Sequence, residues 1–105
     1  MDGIMPDPIL PGSQCTTMVE VRAGVDRVDA ELVALLRRRF DYMDAAARIK
    51  PERGQVRDEM RKAAVIRNAR AAAEAAGMPG AAIADIWERL VEASIAYEFA
   101  AFDQR

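Results

Sequence analysis

Histidine is missing from these 105 residues, and cysteine occurs once, as Cys15. Without an imidazole, and with the one thiol outside the helical stretches, metal sites and nucleophile–base pairs lose their usual donors. No metal or other cofactor is therefore expected, and any chemistry here has to run on charge and hydrogen bonds. One cysteine allows no disulfide within the chain and fits a reducing compartment, so a cytoplasmic protein is expected. No stretch is apolar for long enough to span a membrane. The N-terminus also lacks the basic segment and apolar core of a signal peptide. Net charge is −2, so nothing points to nucleic acid. Carboxylates flank the run Arg37, Arg38, Arg39, and two of the three read as solvated helix positions.

Aromatic residues are scarce as well, at 6%, whereas apolar residues reach 51% and alanine occurs 21 times. That balance favours close-packed helices over sheets, and the length suits one domain. An all-α fold is expected. Residues 1–17, with three prolines and two glycines, read as a disordered arm; residues 18–105 read as the helical domain. Thr17 and Glu20 have the spacing of a capping box at its start. Pro51 ends the first helix after Lys50, and a polar loop, 51–56, follows. A second helix runs from about Arg57 or Asp58 to Ala76, with Gly77 suited to close it. A third runs from Pro79, in its first turn, to Phe102.

The stretch from Met18 to Lys50 organises the rest. Val21, Val25, Val28, Leu32 and Leu35 recur at intervals of four and three, an apolar helical stripe. The same spacing lands next on Arg39, where the pattern wants a hydrophobe. Lys50 follows eleven residues later, close to three helical turns, so both cations project from nearly the same face. Cations on or beside a core-facing stripe need an anionic partner, either a protein carboxylate or a small anionic ligand. A helix of about 32 residues is roughly 48 Å long, against a diameter of about 33 Å for a compact chain of this size. Either it kinks or a second chain covers the excess; a homodimer is expected. Gly24 within this helix suits the close approach of another backbone.

Other polar groups interrupt apolar faces. The stripe of the third helix through Trp87 and Val91 turns polar at Ser94 and Glu98. Each candidate has a plain structural reading: Arg22 paired with Asp26 on the surface, Arg39 in a buried ion pair, Lys50 favoured at a helix C-terminus, Arg61 solvated, Glu98 neutralising Arg39 or Lys50. Arg22 precedes Arg39 by 17 residues, roughly 25 Å along a helix and about 100° around it. A single helix cannot bring both to one small ligand, so a shared ligand requires Arg22 from a second chain.

The chain resembles the all-α chorismate mutases (chorismate mutase type II), with their isochorismate-pyruvate lyase relatives. The resemblance lies in R-x2-V-D-x2-D-x2-L-x2-L-L-x2-R from Arg22 to Arg39, R-x-K from Arg48 to Lys50, V-R-D-x2-R from Val56 to Arg61, and E-A-S-I-A-Y-E from Glu92 to Glu98. It covers about residues 15–103. It implies three helices per chain, with the long first helices of two chains intertwined in a homodimer that has shared active sites. It implies a small dicarboxylate substrate, with no nucleic acid or membrane as partner. Arg22 would reach the partner's site and bind a carboxylate; Arg39 would bind one in its own. Lys50 would bind the ether oxygen of the breaking C–O bond and a carboxylate, Arg61 would support the pocket and the substrate side chain, Asp58 would lie by the ring hydroxyl and Ser94 by a carboxylate. Arg39, Lys50 and Glu98 would be the catalytic set, with no metal.

Such an enzyme performs a Claisen rearrangement of chorismate to prephenate, a step of the shikimate pathway towards aromatic amino acids; the lyases release pyruvate from isochorismate to give salicylate. Neither reaction requires a nucleophile. Two departures from the family pattern stand out. Glu98 replaces a glutamine that donates to the ether oxygen. An ionised carboxylate would repel the charge growing there, so Glu98 serves when protonated, and a rate greater on the acidic side is expected. Lys62 stands where many bacterial mutases carry a glutamate for the ring hydroxyl. Cys15-Thr16 and the run D-Y-x2-A-A-x-R-x-K ending at Lys50 lean towards the lyases. The expected function is chorismate mutase, with isochorismate-pyruvate lyase as the alternative. A non-catalytic helical dimerisation module is the alternative of another class.

Overall fold

The computed structural model describes residues 9–105, whose regular structure is all helical: α1 (Met18–Ile49), α2 (Glu59–Ala75) and α3 (Gly80–Asp103), with short 3-10 turns at Gly12–Gln14 and Arg53–Gln55 and no strand among the described residues. Residues 1–8, the first part of the predicted arm, lie outside the described residues. The chain forms two compact units, which divide after Arg38.

In the first unit, α1 starts as its residue types dictate. Thr17 Oγ1 accepts from the Glu20 N–H at 3.2 Å, and Glu20 Oε1 accepts from the Thr16 and Thr17 N–H groups at 2.9 and 3.0 Å. Donors that a helix start leaves unsatisfied are thereby used, and these bonds hold the Glu20 carboxyl below its usual range. Ile9, Leu10 and Cys15 line an apolar groove of about 380 Å³ with Val21, Val25 and Val28. The Leu10 carbonyl passes Gly24 so that an added Cβ would meet it at 3.9 Å. That is ordinary contact, so this approach does not demand glycine. The stripe Val21, Val25, Val28, Leu32 and Leu35 remains 37–53% exposed.

The second unit holds the core. Val56, Val91 and Ile95 are buried together, packed by Val65, Ile66, Trp87, Phe99 and Phe102. Cutting Ile95 back to alanine costs about 2–5 kcal/mol at such a site. Ala47 and Ala73 are buried too, where small side chains let helices approach. Phe40 on α1 meets Tyr97 on α3 edge-to-face, with ring centroids 4.8 Å apart, an orientation the ring quadrupoles favour.

Helix ends shape this unit. The Asp58 side chain caps α2 by accepting from the Arg61 N–H at 3.0 Å. Gly77, at φ 77°, closes α2: its N–H donates to Glu74 O at 3.1 Å, and the Met78 N–H donates to Ala73 O at 2.8 Å. This is the paired-bond ending that a left-handed residue permits. Pro79 sits one position earlier than its residue type suggests, as the N-cap of α3, with buried Gly80 as the first helical residue. No helix of the described residues is long and apolar enough to cross a membrane.

Candidate active site

The last turns of α1, the 3-10 turn, the start of α2 and the second half of α3 enclose a cavity of about 350 Å³. Its size falls at the low end of the roughly 300–1,000 Å³ typical of small-molecule sites. Met43, Val65, Val91 and Ile95 give it apolar walls. Arg39, Lys50, Asp58, Arg61, Ser94 and Glu98, six residues singled out in the sequence, all line it. Arg22 belongs to the first unit and is not among the lining residues.

Helical register explains the meeting. Ser94 and Glu98 are one turn apart on the buried face of α3, 3% and 4% exposed. Ser94 Oγ donates to the Leu90 carbonyl at 2.7 Å, and Arg39 Nη1 donates to Ser94 Oγ at 2.5 Å. The serine thus satisfies the backbone of its own helix while fixing the guanidinium. Lys50 Nζ lies 2.8 Å from Glu98 Oε2 and donates to the Val56 carbonyl at 3.4 Å. Its approach to Glu98 lies off the hydrogen-bonding direction: Oε2 has a charged neighbour but no hydrogen bond among the described residues.

The charge balance is uneven. Four cations line the cavity: Arg39, Lys50, Arg61 and Lys62. Lys50 is matched by Glu98, and Lys62 by Glu88 and Glu92 at 2.9 and 2.8 Å. Asp58 spends Oδ1 on capping α2. Arg39 and Arg61 have no carboxylate within ion-pair distance among the described residues. Burial, and then the charge of Arg61, push the Arg39 pKa below the ordinary arginine range. Guanidiniums that line a small cavity without a carboxylate partner can bind anionic groups. Planar forks suit carboxylates in particular.

Three contributions were not singled out as site residues. Gln55 lines the cavity and forms a capping box with Glu52, and that E-x-x-Q spacing is readable in the sequence. Val56, buried at the cavity wall, gave no local signal. Lys62 stood out as a departure, but its pairing with Glu88 and Glu92 spans 26 and 30 residues. Among the described residues, no three His, Cys, Asp or Glu side chains gather in a way that could hold a metal ion.

The family model for chorismate mutase type II matches residues 21–99. An isochorismate pyruvate lyase from Pseudomonas aeruginosa is 29% identical over 82 residues, which cover 78% of this chain and 81% of that protein.

Proposed function

The chain belongs to the chorismate mutase type II family, and we propose that it is a chorismate mutase. It converts chorismate to prephenate in aromatic amino acid biosynthesis, as a cytoplasmic homodimer with intertwined first helices and two shared sites. The observation that carries this reading is the pair of guanidiniums, Arg39 and Arg61, lining one apolar-walled cavity with Lys50.

In this mechanism Arg39, held by Ser94, binds one carboxylate. Arg61 supports the substrate side chain, and Arg22 of the second chain binds the other carboxylate. The substrate is thereby folded into a compact conformer in which the C–C bond forms as the ether C–O bond breaks. Such positioning supplies a large part of the barrier reduction. Negative charge grows on the ether oxygen, where the Lys50 ammonium donates to it; Glu98, paired with Lys50 in the free site, adds a second donor there only in its neutral form. Preorganised donors of this kind act most strongly in the transition state. Asp58 lies by the ring hydroxyl. No proton is gained or lost overall, and no cofactor takes part.

The dimer is supported by the exposed stripe of α1, since a continuous apolar face of this length marks an interaction surface. A second reading, isochorismate-pyruvate lyase, is favoured by the relative of that name and by Lys62, which leaves the cavity without a glutamate at that position. The test is a paired assay of purified protein, offering chorismate and isochorismate separately. Prephenate supports the mutase. Salicylate and pyruvate, with little prephenate, move the chain to the lyases. Silence with both substrates leaves a binding module.

A further inference from the structure

The end of α1 is held by a residue far away in sequence. Arg105 donates from Nη1 to the carbonyls of Ala47, at 2.9 Å, and Lys50, and from Nη2 to that of Pro51 at 3.3 Å. Its guanidinium carbon lies 3.9 Å from the centroid of the Phe102 ring, which fixes the fork in place. The Ala47 carbonyl is one of those a helix leaves without a partner at its C-terminus, and a cation is favourable there. One planar guanidinium reaches all three acceptors; an ammonium has no such fork. A second grip acts on the same connection. Arg53 binds Asp103 through Nε and Nη2 at 2.8 and 3.2 Å and stacks over Phe99 at 4.5 Å.

Lys50 sits at the centre of this arrangement. Its carbonyl is held by Arg105, and its ammonium reaches Glu98 and Val56 in the cavity. We propose that Arg105 is a positioning residue: by holding the carbonyls of Ala47, Lys50 and Pro51, it fixes the backbone from which Lys50 enters the cavity. The inference rests on the reading of Lys50 as the donor to the breaking bond. Lys50 acts where charge develops, so misplacing it lowers kcat. Arg39 and Arg61 still bind the ground state, so KM changes less than kcat.

The test uses Arg105→Ala and Arg105→Lys in the full chain. Circular dichroism establishes that each is folded, turnover of chorismate gives kcat and KM, and amide hydrogen exchange is followed over residues 47–56. In Arg105→Ala, kcat falls by about tenfold or more, within the range set by angstrom-scale misplacement, while KM changes less. The Lys50 amide, bonded to Ala46 O at 2.9 Å, exchanges faster. Arg105→Lys, which keeps the charge without the fork, does not restore the rate. Three results overturn the proposal: wild-type kcat and exchange in folded Arg105→Ala, full restoration by lysine, or an activity loss that only tracks the unfolded fraction. If the wild type turns over neither substrate, the proposed reaction fails on its own. Exchange at Lys50 in Arg105→Ala still decides the grip: faster exchange supports it, and an unchanged rate overturns it.

Discussion

Lys50 Nζ lies 2.8 Å from Glu98 Oε2, an ion pair without a hydrogen bond, around a carboxylate almost wholly buried. The proposed mechanism puts both groups at the ether oxygen, but only one of them donates at every pH. An ionised Glu98 offers that oxygen repulsion; a protonated one offers a donor.

Glu98→Gln therefore separates charge from shape. The variant keeps the side chain's shape and carries a permanent donor, so it should turn over chorismate faster than wild type by about tenfold or more, against 10²–10³ for losing a full oxyanion donor. A folded variant no faster than wild type would remove a charge penalty at Glu98 from the mechanism.

Arg39 bears a cost that stability measurements should reveal. Its charged form is disfavoured in the fold by burial and by Arg61. Arginine stays ionised at neutral pH, so the penalty is present throughout the working range. Arg39→Ala should lower kcat/KM by on the order of 10²–10³ and leave Tm no lower than wild type. A variant that loses activity because it melts earlier would make Arg39 a structural residue.

Acid stability should report on the contacts between α2 and α3. Hydrogen bonds from Arg57, and then from Lys62, hold the Glu92 carboxyl down from 4.5 to about 2. A carboxylate with a lowered pKa contributes stability that is fully present above 4.5 and is lost as pH falls through the folded value. Wild type should thus exceed Glu92→Gln in Tm at neutral pH, and the gap should close between about pH 4.5 and about pH 2. A gap of constant size would mean that Glu92 acts through packing. Glu92 is not in the cavity lining, so turnover by the two proteins at neutral pH should be similar.

Local signals carried much of this arrangement. The break at Arg39 in an otherwise apolar stripe, and the polar end of α3 at Ser94 and Glu98, marked side chains that line the cavity. Capping residue types gave Thr17 with Glu20, and Gly77, because a cap is satisfied within a few residues. Pairings across tens of residues left no such trace. Arg53 with Asp103, Lys62 with Glu92 and Arg105 with Ala47 span 50, 30 and 58 residues, and each alone reads as a solvated charge. Pro79 shows the limit at short range: its fixed φ suits both the cap and the first helical position, and it stands at the cap.

The stripe on α1 allows the shared-site reading to be tested without a structure of the dimer. Wild type should sediment as two chains of 11.6 kDa, and Leu32→Glu, which sets a charge on the exposed stripe, should shift it towards one. Arg22→Ala and Lys50→Ala should each be nearly inactive alone. In an isologous dimer the two chains contribute the same surfaces to each other. A hybrid of these variants therefore contains one site with both changes and one with neither. Mixing the two under conditions that exchange subunits should restore turnover. Hybrids verified by mass spectrometry that stay inactive would mean that Arg22 and Lys50 do not serve one site from two chains.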